Sequence, residues 1–128
     1  MNADTSILLV DDEKDLLEMV CMALETYKWK VTCLEEPEMV LALLKTQPPD
    51  LILMDIYLKT MDGRELCKRI KTTEGFEKLP IILYSAGNIS PVSIKESLAD
   101  DFVAKPFDLK RLAQKILALL GKTTTHTE

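Results

Sequence analysis

The chain of 128 residues has no apolar run that approaches the roughly 20 residues of a membrane-spanning helix. Its first residues, Met1 to Thr5, contain neither the basic nor the apolar stretch of a secretory signal peptide. We therefore expect a cytoplasmic protein that does not enter the membrane.

Cysteine and histidine are also scarce. The three cysteines have no CxxC spacing, and each lies in an apolar periodic segment: Cys21, Cys33 and Cys67. We predict buried, reduced thiols rather than a disulfide or a zinc site. The only histidine, His126, lies in a polar C-terminal stretch, where a catalytic role is not expected.

Acidic residues outnumber basic ones, 21 to 16, and the formal net charge is -5. Sequence-independent binding of nucleic acids depends on clustered basic residues that neutralise phosphates, so we expect no nucleic-acid binding by this chain. The length suits one domain, which we assign to residues 1–121, followed by a polar tail at 122–128.

Short apolar runs alternate with longer segments of helical periodicity, which is typical of βα units around a parallel sheet. The predicted strands are Ile7–Val10, Lys30–Leu34, Leu51–Met54, Ile81–Ser85 and Phe102–Ala104. The predicted helices are Glu13–Tyr27, Pro37–Thr46, Arg64–Lys71, Pro91–Leu98 and Leu109–Leu120, the last one ended by Gly121. The third and fourth strands are apolar on both faces, so we expect them at the centre of the sheet, covered on both sides.

Polar side chains stand at the ends of four of these strands. Asp11 and Asp12 follow the first strand, Asp55 the third and Lys105 the fifth, while Ser85 ends the fourth. In an open parallel α/β sheet, ligands bind beyond the carboxyl ends of the strands. We therefore predict that these five side chains form one site.

The composition of this site points to phosphoryl transfer. Carboxylates at close range raise one another's pKa unless a cation neutralises them. Mg²⁺ does so with one or two carboxylates, water and phosphate oxygens. Phosphoryl transfer relies mostly on positioning and charge neutralisation, to which Lys105 and Ser85 would contribute. A carboxylate can itself be the nucleophile, and Asp55, alone at the end of a central strand, is the best candidate.

The first predicted helix has an apolar stripe and an opposite, outer side. At about 100° per residue, Asp15, Met19 and Met22 fall on the outer side. Two exposed methionines beside a predicted active site suit a surface on which a partner protein docks.

Four motifs together resemble the signature of the receiver domain of bacterial response regulators. They are Val10-Asp-Asp-Glu13, Leu53-Met-Asp-Ile56 with Met61-Asp-Gly63, Tyr84-Ser-Ala-Gly87 and Asp101-Phe-Val-Ala-Lys-Pro-Phe107. The likeness extends from Thr5 to Leu120, so the predicted domain at 1–121 would be a receiver domain. By this resemblance we expect a flavodoxin-like (βα)₅ three-layer sandwich with five parallel strands in the order 2-1-3-4-5.

The resemblance implies that Asp55 accepts a phosphoryl group in the presence of Mg²⁺, or of Mn²⁺ in its place. The side chains of Asp12 and Asp55 and the backbone carbonyl of Tyr57 would bind the metal, and Asp11 would do so largely through water. The protein would then be a signalling switch that catalyses only its own phosphorylation and dephosphorylation.

Other residues are assigned to the phosphoryl group by the same resemblance. Lys105 would bind one phosphoryl oxygen, and the Ser85 hydroxyl and the backbone amides of Ile56 and Ala86 would bind the others. The peptide bond between Lys105 and Pro106 is expected to be cis. Ser85 and Phe102 occupy the positions of the family's switch: as Ser85 closes on the phosphoryl group, Phe102 would rotate inward.

The phosphoryl donor implied by the resemblance is a phosphohistidine on a sensor histidine kinase or a histidine phosphotransfer protein. We predict that this donor docks near Asp15, Met19 and Met22 and the loop after the fifth strand. The sequence does not name the downstream effector protein, and we expect a monomer or a phosphorylation-dependent dimer.

The chain departs from the family pattern at two positions. Lys59 stands where proline is usual, so the loop is expected to be less rigid. Leu98 replaces a common glycine, so the turn there is expected to differ. In addition, Tyr57 is bulky and stands where side chains modulate access of water to the phosphoryl group.

Two other functions that use a similar fold or nucleophile agree less well with the sequence. A phosphatase of the haloacid dehalogenase type needs a second acid two residues after its nucleophile, where this chain has Tyr57. A flavodoxin-type cofactor carrier must attract an anion after the first strand, where Asp11, Asp12 and Glu13 would repel it. A docking module that is not phosphorylated, or the receiver module of a longer regulator or hybrid kinase, stays open. A starting methionine and a short polar tail favour a free-standing form.

Overall fold

The computed structural model describes residues 5–105 and 108–124, and within them five strands alternate with five helices. The strands are β1 (Ser6–Val10), β2 (Lys30–Leu34), β3 (Leu51–Asp55), β4 (Ile81–Ser85) and β5 (Asp101–Ala104). The helices are α1 (Lys14–Glu25), α2 (Val40–Thr46), α3 (Gly63–Lys71), α4 (Pro91–Glu96) and α5 (Leu109–Thr124). A 3₁₀ turn at Pro37–Met39 leads into α2.

The five strands form one parallel sheet in the order β2-β1-β3-β4-β5, which confirms the predicted topology. The strand order reverses between β1 and β3, the point at which such sheets open a crevice at their carboxyl ends. In the register of the sheet, Asp55 lies opposite Tyr84 and Ser85 lies opposite Ala104. The ends of β1, β3, β4 and β5 are therefore side by side.

Alternate residues of the strands supply two cores, one on each face of the sheet, because successive side chains of a strand point to opposite faces. On one face, Ile7 and Leu9 pack with residues of α1 and α5. On the other, Leu8 and Val10 pack with residues of α2 and α3. Every residue of β3 and β4 is buried, as predicted for central strands.

Side-chain caps begin three of the helices. The Asp62 carboxylate accepts a hydrogen bond from the Arg64 amide at 2.8 Å at the start of α3. Ser90 caps α4 by accepting from the amides of the first turn, and Asp108 does so for α5. The prediction that Gly121 ends the last helix was wrong, since α5 continues to Thr124. Glycine weakens a helix by about 1 kcal/mol but does not stop it.

The cysteines differ in their environment, although all three are free thiols. Cys67 is buried in α3, and burial raises the pKa of its thiol to about 12. Cys21 is partly buried, whereas Cys33 is exposed, so the prediction of a buried Cys33 was wrong. The reason is that β2 is an edge strand and is only partly covered.

Candidate functional site

Asp11 follows β1 directly and is completely buried, with 0% of its surface exposed. The Glu13 amide donates a hydrogen bond to Oδ1 at 2.8 Å, and the Tyr84 hydroxyl donates one to Oδ2 at 2.7 Å. Burying a carboxylate is costly unless its oxygens are hydrogen-bonded. These two donors therefore hold the Asp11 side chain in one orientation at the carboxyl end of the sheet.

Asp55 is the last residue of β3 and is 6% exposed. Its Oδ1 accepts a hydrogen bond from the Tyr57 amide at 3.2 Å. Its Oδ2 lies 3.5 Å from the Nζ of Lys105. The carboxylate is thus held by its own loop through one oxygen and by a cation through the other.

Lys105 follows β5, and its amide donates to the Ser85 carbonyl oxygen at 2.8 Å, which extends the pairing of β4 and β5 by one residue. Its Nζ lies 3.5 Å from Asp55 Oδ2 and 3.7 Å from Asp11 Oδ2. The same atom lies 4.9 Å from the centroid of the Tyr84 ring. The structure therefore brings one compact cation against both buried carboxylates.

The charge balance of this group favours a further cation. Burial raises the pKa of Asp55 above its ordinary value; the Lys105 ammonium opposes this effect, and the Asp11 carboxylate adds to it. Burial and then the Asp11 carboxylate also raise the pKa of Tyr84, so that its hydroxyl stays protonated as a donor. Two carboxylates that share one lysine leave an excess of negative charge, which a bound cation would offset.

Asp12 is partly exposed and makes a different contact from Asp11. Its Oδ2 accepts a hydrogen bond from the backbone amide of Lys59, in the loop between β3 and α3. A proline at position 59 could not donate this bond, because proline has no amide hydrogen. Lys59 therefore ties the loop after Asp55 to the acidic end of β1.

Gly63 allows α3 to begin directly against the end of β3. A Cβ atom at this position would lie 2.2 Å from the carbonyl oxygen of Asp55 and 3.0 Å from the Cα of Ile56. The Gly63 amide also donates to the Ile56 carbonyl oxygen at 2.7 Å. Any larger residue must displace the backbone that carries Asp55.

Ser85 ends β4 and is completely buried. Its Oγ accepts a hydrogen bond from the Gly87 amide at 3.3 Å. Ala86, the next residue, is exposed. Since Ser85 stands one position beyond the register partner of Asp55, the turn that follows β4 borders the same crevice.

The Ile56 amide, which was predicted to bind a phosphoryl oxygen, has a backbone partner in this structure. That amide donates to the Tyr84 carbonyl oxygen at 2.9 Å, because the pairing of β3 with β4 continues past Asp55. The amide of the following residue, Tyr57, is the one that reaches the Asp55 carboxylate.

The acids at the ends of β1 and β3 offer oxygen atoms, the donors that hard cations such as Mg²⁺ prefer. Within residues 5–105 and 108–124, no three acidic, histidine or cysteine side chains come together as a ready-made metal site. Mg²⁺ usually takes only one or two carboxylates and keeps several waters. The donor set therefore fits Mg²⁺ bound by few protein oxygens.

The predicted switch residue Phe102 lies in β5 opposite Leu83 and is partly buried against the core on the α3 side of the sheet. Pro106, and with it the predicted cis peptide bond, lies outside the described residues. Tyr57 is exposed, and its ring approaches Gly87 across the mouth of the crevice: a Cβ at Gly87 would lie 3.6 Å from it.

The three predicted docking residues lie on α1, which begins three residues after Asp11. Asp15 is exposed in the first turn. Met19 is 53% exposed and Met22 is 69% exposed, so the prediction that both methionines face solvent is confirmed. The acidic site is therefore followed by an exposed helix face that contains apolar side chains.

Tyr84 was not singled out as a site residue on the sequence alone, although the structure places its hydroxyl on Asp11. A signal was available. A buried tyrosine usually finds a partner for its hydroxyl, and Tyr84 directly follows the aliphatic run Ile81–Leu83 of a predicted central strand. Its position next to Ser85 could have directed attention to the acids.

Among the residues that the structure describes, none of the helices combines the length and the apolar character needed to cross a membrane.

Residues 7–117 match the family model described as response regulator receiver domain. The chain is 35% identical over 120 residues to the phosphate regulon transcriptional regulatory protein PhoB of Pseudomonas aeruginosa. The aligned residues cover 92% of this chain and 52% of that protein. It is 38% identical over 119 residues to the transcriptional regulatory protein AfsQ1 of Streptomyces coelicolor. That alignment covers 91% of this chain and 52% of AfsQ1. The chain thus spans about half the length of these curated relatives.

Solved structures give the same result. A putative response regulator from Chloroflexus aurantiacus is 30% identical, with a TM-score of 0.87 over 92% of this chain and 98% of the other. A CheY-like response regulator receiver domain protein from Methanospirillum hungatei has a TM-score of 0.88 over 96% of this chain and 98% of the other. It is 24% identical, so this second likeness concerns the fold alone.

Proposed function

Because the chain belongs to the response regulator receiver domain family, we propose that it is a phosphorylation-controlled switch whose phosphoacceptor is Asp55. Receiver domains are signalling switches rather than enzymes that act on a separate substrate. The observation that supports Asp55 best is its carboxylate, 3.5 Å from the Lys105 ammonium and beside the buried Asp11 at the carboxyl end of the sheet.

In the proposed reaction, a carboxylate oxygen of Asp55 attacks the phosphorus of a phosphohistidine. The new O–P bond forms as the P–N bond breaks, and the electron pair of the broken bond stays on the imidazole nitrogen. Lys105 pairs with a phosphoryl oxygen that replaces part of its contact with Asp55. Its ammonium offsets the charge carried by the transferring group.

Mg²⁺, or Mn²⁺ in its place, would be held by the side chains of Asp12 and Asp55, by the Tyr57 carbonyl oxygen and, through water, by Asp11. When bound, the ion neutralises the carboxylates and the phosphoryl oxygens. The Lys59 amide occupies one oxygen of Asp12, and the other oxygen would be used for the metal.

The remaining phosphoryl oxygens would be bound by the Ser85 hydroxyl and the Ala86 amide. The Ile56 amide would bind there as well, and the neighbouring Tyr57 amide, which donates to Asp55 Oδ1, lies beside it. As Ser85 moves toward the phosphoryl group, Phe102 would turn inward. The partial burial of Phe102 against the core supports this part of the proposal, because the ring can gain contacts by moving inward.

The donor would be a sensor histidine kinase or a histidine phosphotransfer protein in the cytoplasm. It would dock on the exposed face of α1 that carries Asp15, Met19 and Met22. The methionines are flexible and apolar, which suits a surface that packs against a partner helix. The named relatives are transcriptional regulators, so we propose that the switch controls transcription through parts other than this acidic domain.

Intact-mass measurement after exposure to acetyl phosphate, with and without Mg²⁺, tests the proposal. We expect the wild-type protein to gain one phosphoryl group only with Mg²⁺, and Asp55→Asn to gain none. Glu25→Gln, which changes an exposed carboxylate at the far end of α1, serves as the matched control and should behave as wild type. Phosphorylation of Asp55→Asn, or a wild-type protein that binds neither phosphoryl group nor beryllofluoride, would contradict the proposal.

A further inference from the structure

We propose that Tyr84 is a positioning residue of the phosphorylation site, which holds Asp11 and Lys105 in the arrangement that binds Mg²⁺ and the phosphoryl group. The inference rests on the proposed function, because it concerns how that same site is held together. The phenol would touch neither the metal nor the phosphoryl group and would act through its two charged neighbours.

The Tyr84 hydroxyl is hydrogen-bonded to the Asp11 carboxylate. Tyr84 is 1% exposed, and its hydroxyl donates to Asp11 Oδ2 at 2.7 Å. The Glu13 amide takes the other oxygen at 2.8 Å. With one donor on each oxygen, the carboxylate cannot rotate without losing a hydrogen bond inside the protein, and a lone pair on each oxygen is left for a water on the metal.

The ring of Tyr84 also lies next to the Lys105 ammonium. Its Nζ lies 4.9 Å from the centroid of the Tyr84 ring, within the range of a cation–π contact. The hydroxyl of the same ring bonds to Asp11 Oδ2, the oxygen that is 3.7 Å from Nζ. Tyr84 therefore contacts both the Lys105 ammonium and the Asp11 oxygen that faces it, while the ammonium lies 3.5 Å from Asp55 Oδ2.

The alternative is that Tyr84 only fills the core. The ring does pack in the core cluster on the α1 and α5 side of the sheet, with neighbours that include Ile82 and Leu112. Filling space requires the ring but not the hydroxyl. Phenylalanine keeps the ring, its packing and its cation–π face, so Tyr84→Phe separates the two roles.

The experiment compares the Mg²⁺ affinity of wild type, Tyr84→Phe and Tyr27→Phe, followed through the backbone signal of Glu13 in NMR spectra. Tyr27→Phe removes the hydroxyl of a tyrosine that stacks on Trp29 after the end of α1, so it is the matched control. Removing a partner that orients a metal ligand typically weakens metal binding by 10–100-fold, and we expect a loss of about tenfold in Tyr84→Phe. Tyr27→Phe should stay within twofold of wild type.

Beryllofluoride affinity, measured by ¹⁹F NMR, is the second readout and should weaken in parallel, because Lys105 would move toward Asp11. An unchanged Mg²⁺ affinity in Tyr84→Phe would overturn the inference and leave Asp55 as the phosphoacceptor. A wild-type protein that bound no Mg²⁺ would overturn the inference together with the proposed function.

A measurement on the wild type makes the test independent of how well Tyr84→Phe folds. Because Tyr84 is buried, its hydroxyl proton should exchange slowly with solvent and give its own NMR signal. This signal should shift when Mg²⁺ is added, since the acceptor of the hydrogen bond is Asp11. A hydroxyl signal that did not respond to Mg²⁺ would contradict the inference.

Discussion

The central strands β3 and β4 and the neighbouring pair α4 and β5 lie side by side but are held very differently. Every residue of β3 and β4 is buried, and both strands pair on two sides. By contrast, none of the six residues of α4, all of them described, is buried, and β5 is an edge strand with partly buried or exposed residues.

In the proposed switch, this difference separates the site of phosphoryl transfer from the elements that would change position after it. Asp55 stands at the end of the tightly packed strand β3, which suits a group that must be held in a fixed position. Lys105 and Phe102 belong to the loosely held side, where local opening costs little free energy. Under the proposed function, a phosphoryl group on Asp55 would therefore change the position of α4 and β5 without disturbing the core.

The largest effect should come from a large-to-small substitution in a central strand. Leu53→Ala would remove a completely buried side chain from β3 and should lower the free energy of unfolding by about 2–5 kcal/mol. Val92→Ala, on the exposed surface of α4, should stay within about 0.5 kcal/mol of wild type. Urea denaturation measures both. Equal losses in the two variants would contradict the contrast between the two regions.

The next effect concerns the contact between α3 and the end of β3. Gly63→Ala would place a Cβ 2.2 Å from the Asp55 carbonyl oxygen. We expect the free energy of unfolding to fall by about 1–3 kcal/mol. Phosphorylation by acetyl phosphate should also be slower.

Gly121→Ala is the control for this change. A Cβ there would meet no described heavy atom within 4 Å, and alanine favours the helix by about 1 kcal/mol. Its stability should rise slightly, and its phosphorylation rate should stay that of wild type. A Gly63→Ala protein with wild-type stability would show that the end of β3 is less constrained than we infer.

A smaller effect of opposite sign is expected in the turn between α4 and β5. Leu98 has a φ of +69°, in the left-handed region, and its side chain is exposed. This conformation costs a residue with a Cβ about 1–2 kcal/mol, whereas glycine adopts it readily. Leu98→Gly should therefore raise the melting temperature. The gain in the free energy of unfolding should not exceed about 1 kcal/mol, since glycine also increases the entropy of the unfolded chain, which opposes the gain. A lower melting temperature would be the contrary result.

The smallest effect is a pH dependence at the rigid centre. Burial raises the pKa of Asp55 in the folded protein above its ordinary value of 3.8, so the folded protein holds this proton more tightly than the unfolded chain does. The resulting stabilisation is present below pH 3.8 and is lost as the pH rises through the folded pKa. Asp55→Asn cannot ionise, so its stability relative to wild type should increase from acid to neutral pH. A constant difference across this range would contradict the raised pKa.

Much of the rigid part could be predicted from the sequence. The apolar runs before Asp55 and Ser85 identified the central strands, because only strands covered on both faces are apolar throughout. The strand ends also identified the acids and Lys105, since parallel strands bring their carboxyl ends to one edge.

The details that were missed depend on contacts between residues distant in sequence. The bond from Tyr84 to Asp11 joins residues 73 positions apart. The hydrogen bond from the Ile56 amide to the Tyr84 carbonyl was not foreseen, because the extent of a strand ladder is set by the neighbouring strand. Cys33 lies in an apolar segment, from which we predicted burial. It is exposed because β2 lies at the edge of the sheet.

Hydrogen exchange of backbone amides, with and without beryllofluoride and Mg²⁺, is the most direct test of this account. It shows whether a ligand at the ends of the rigid strands β3 and β4 changes the loosely packed α4 and β5. In the free protein, we expect strong protection in β3 and β4 and weak protection in α4 and β5. Beryllofluoride should change the protection of α4 and β5 while that of β1 and β3 stays constant. Equal protection in the two regions, or a change confined to the central strands, would contradict the division between them.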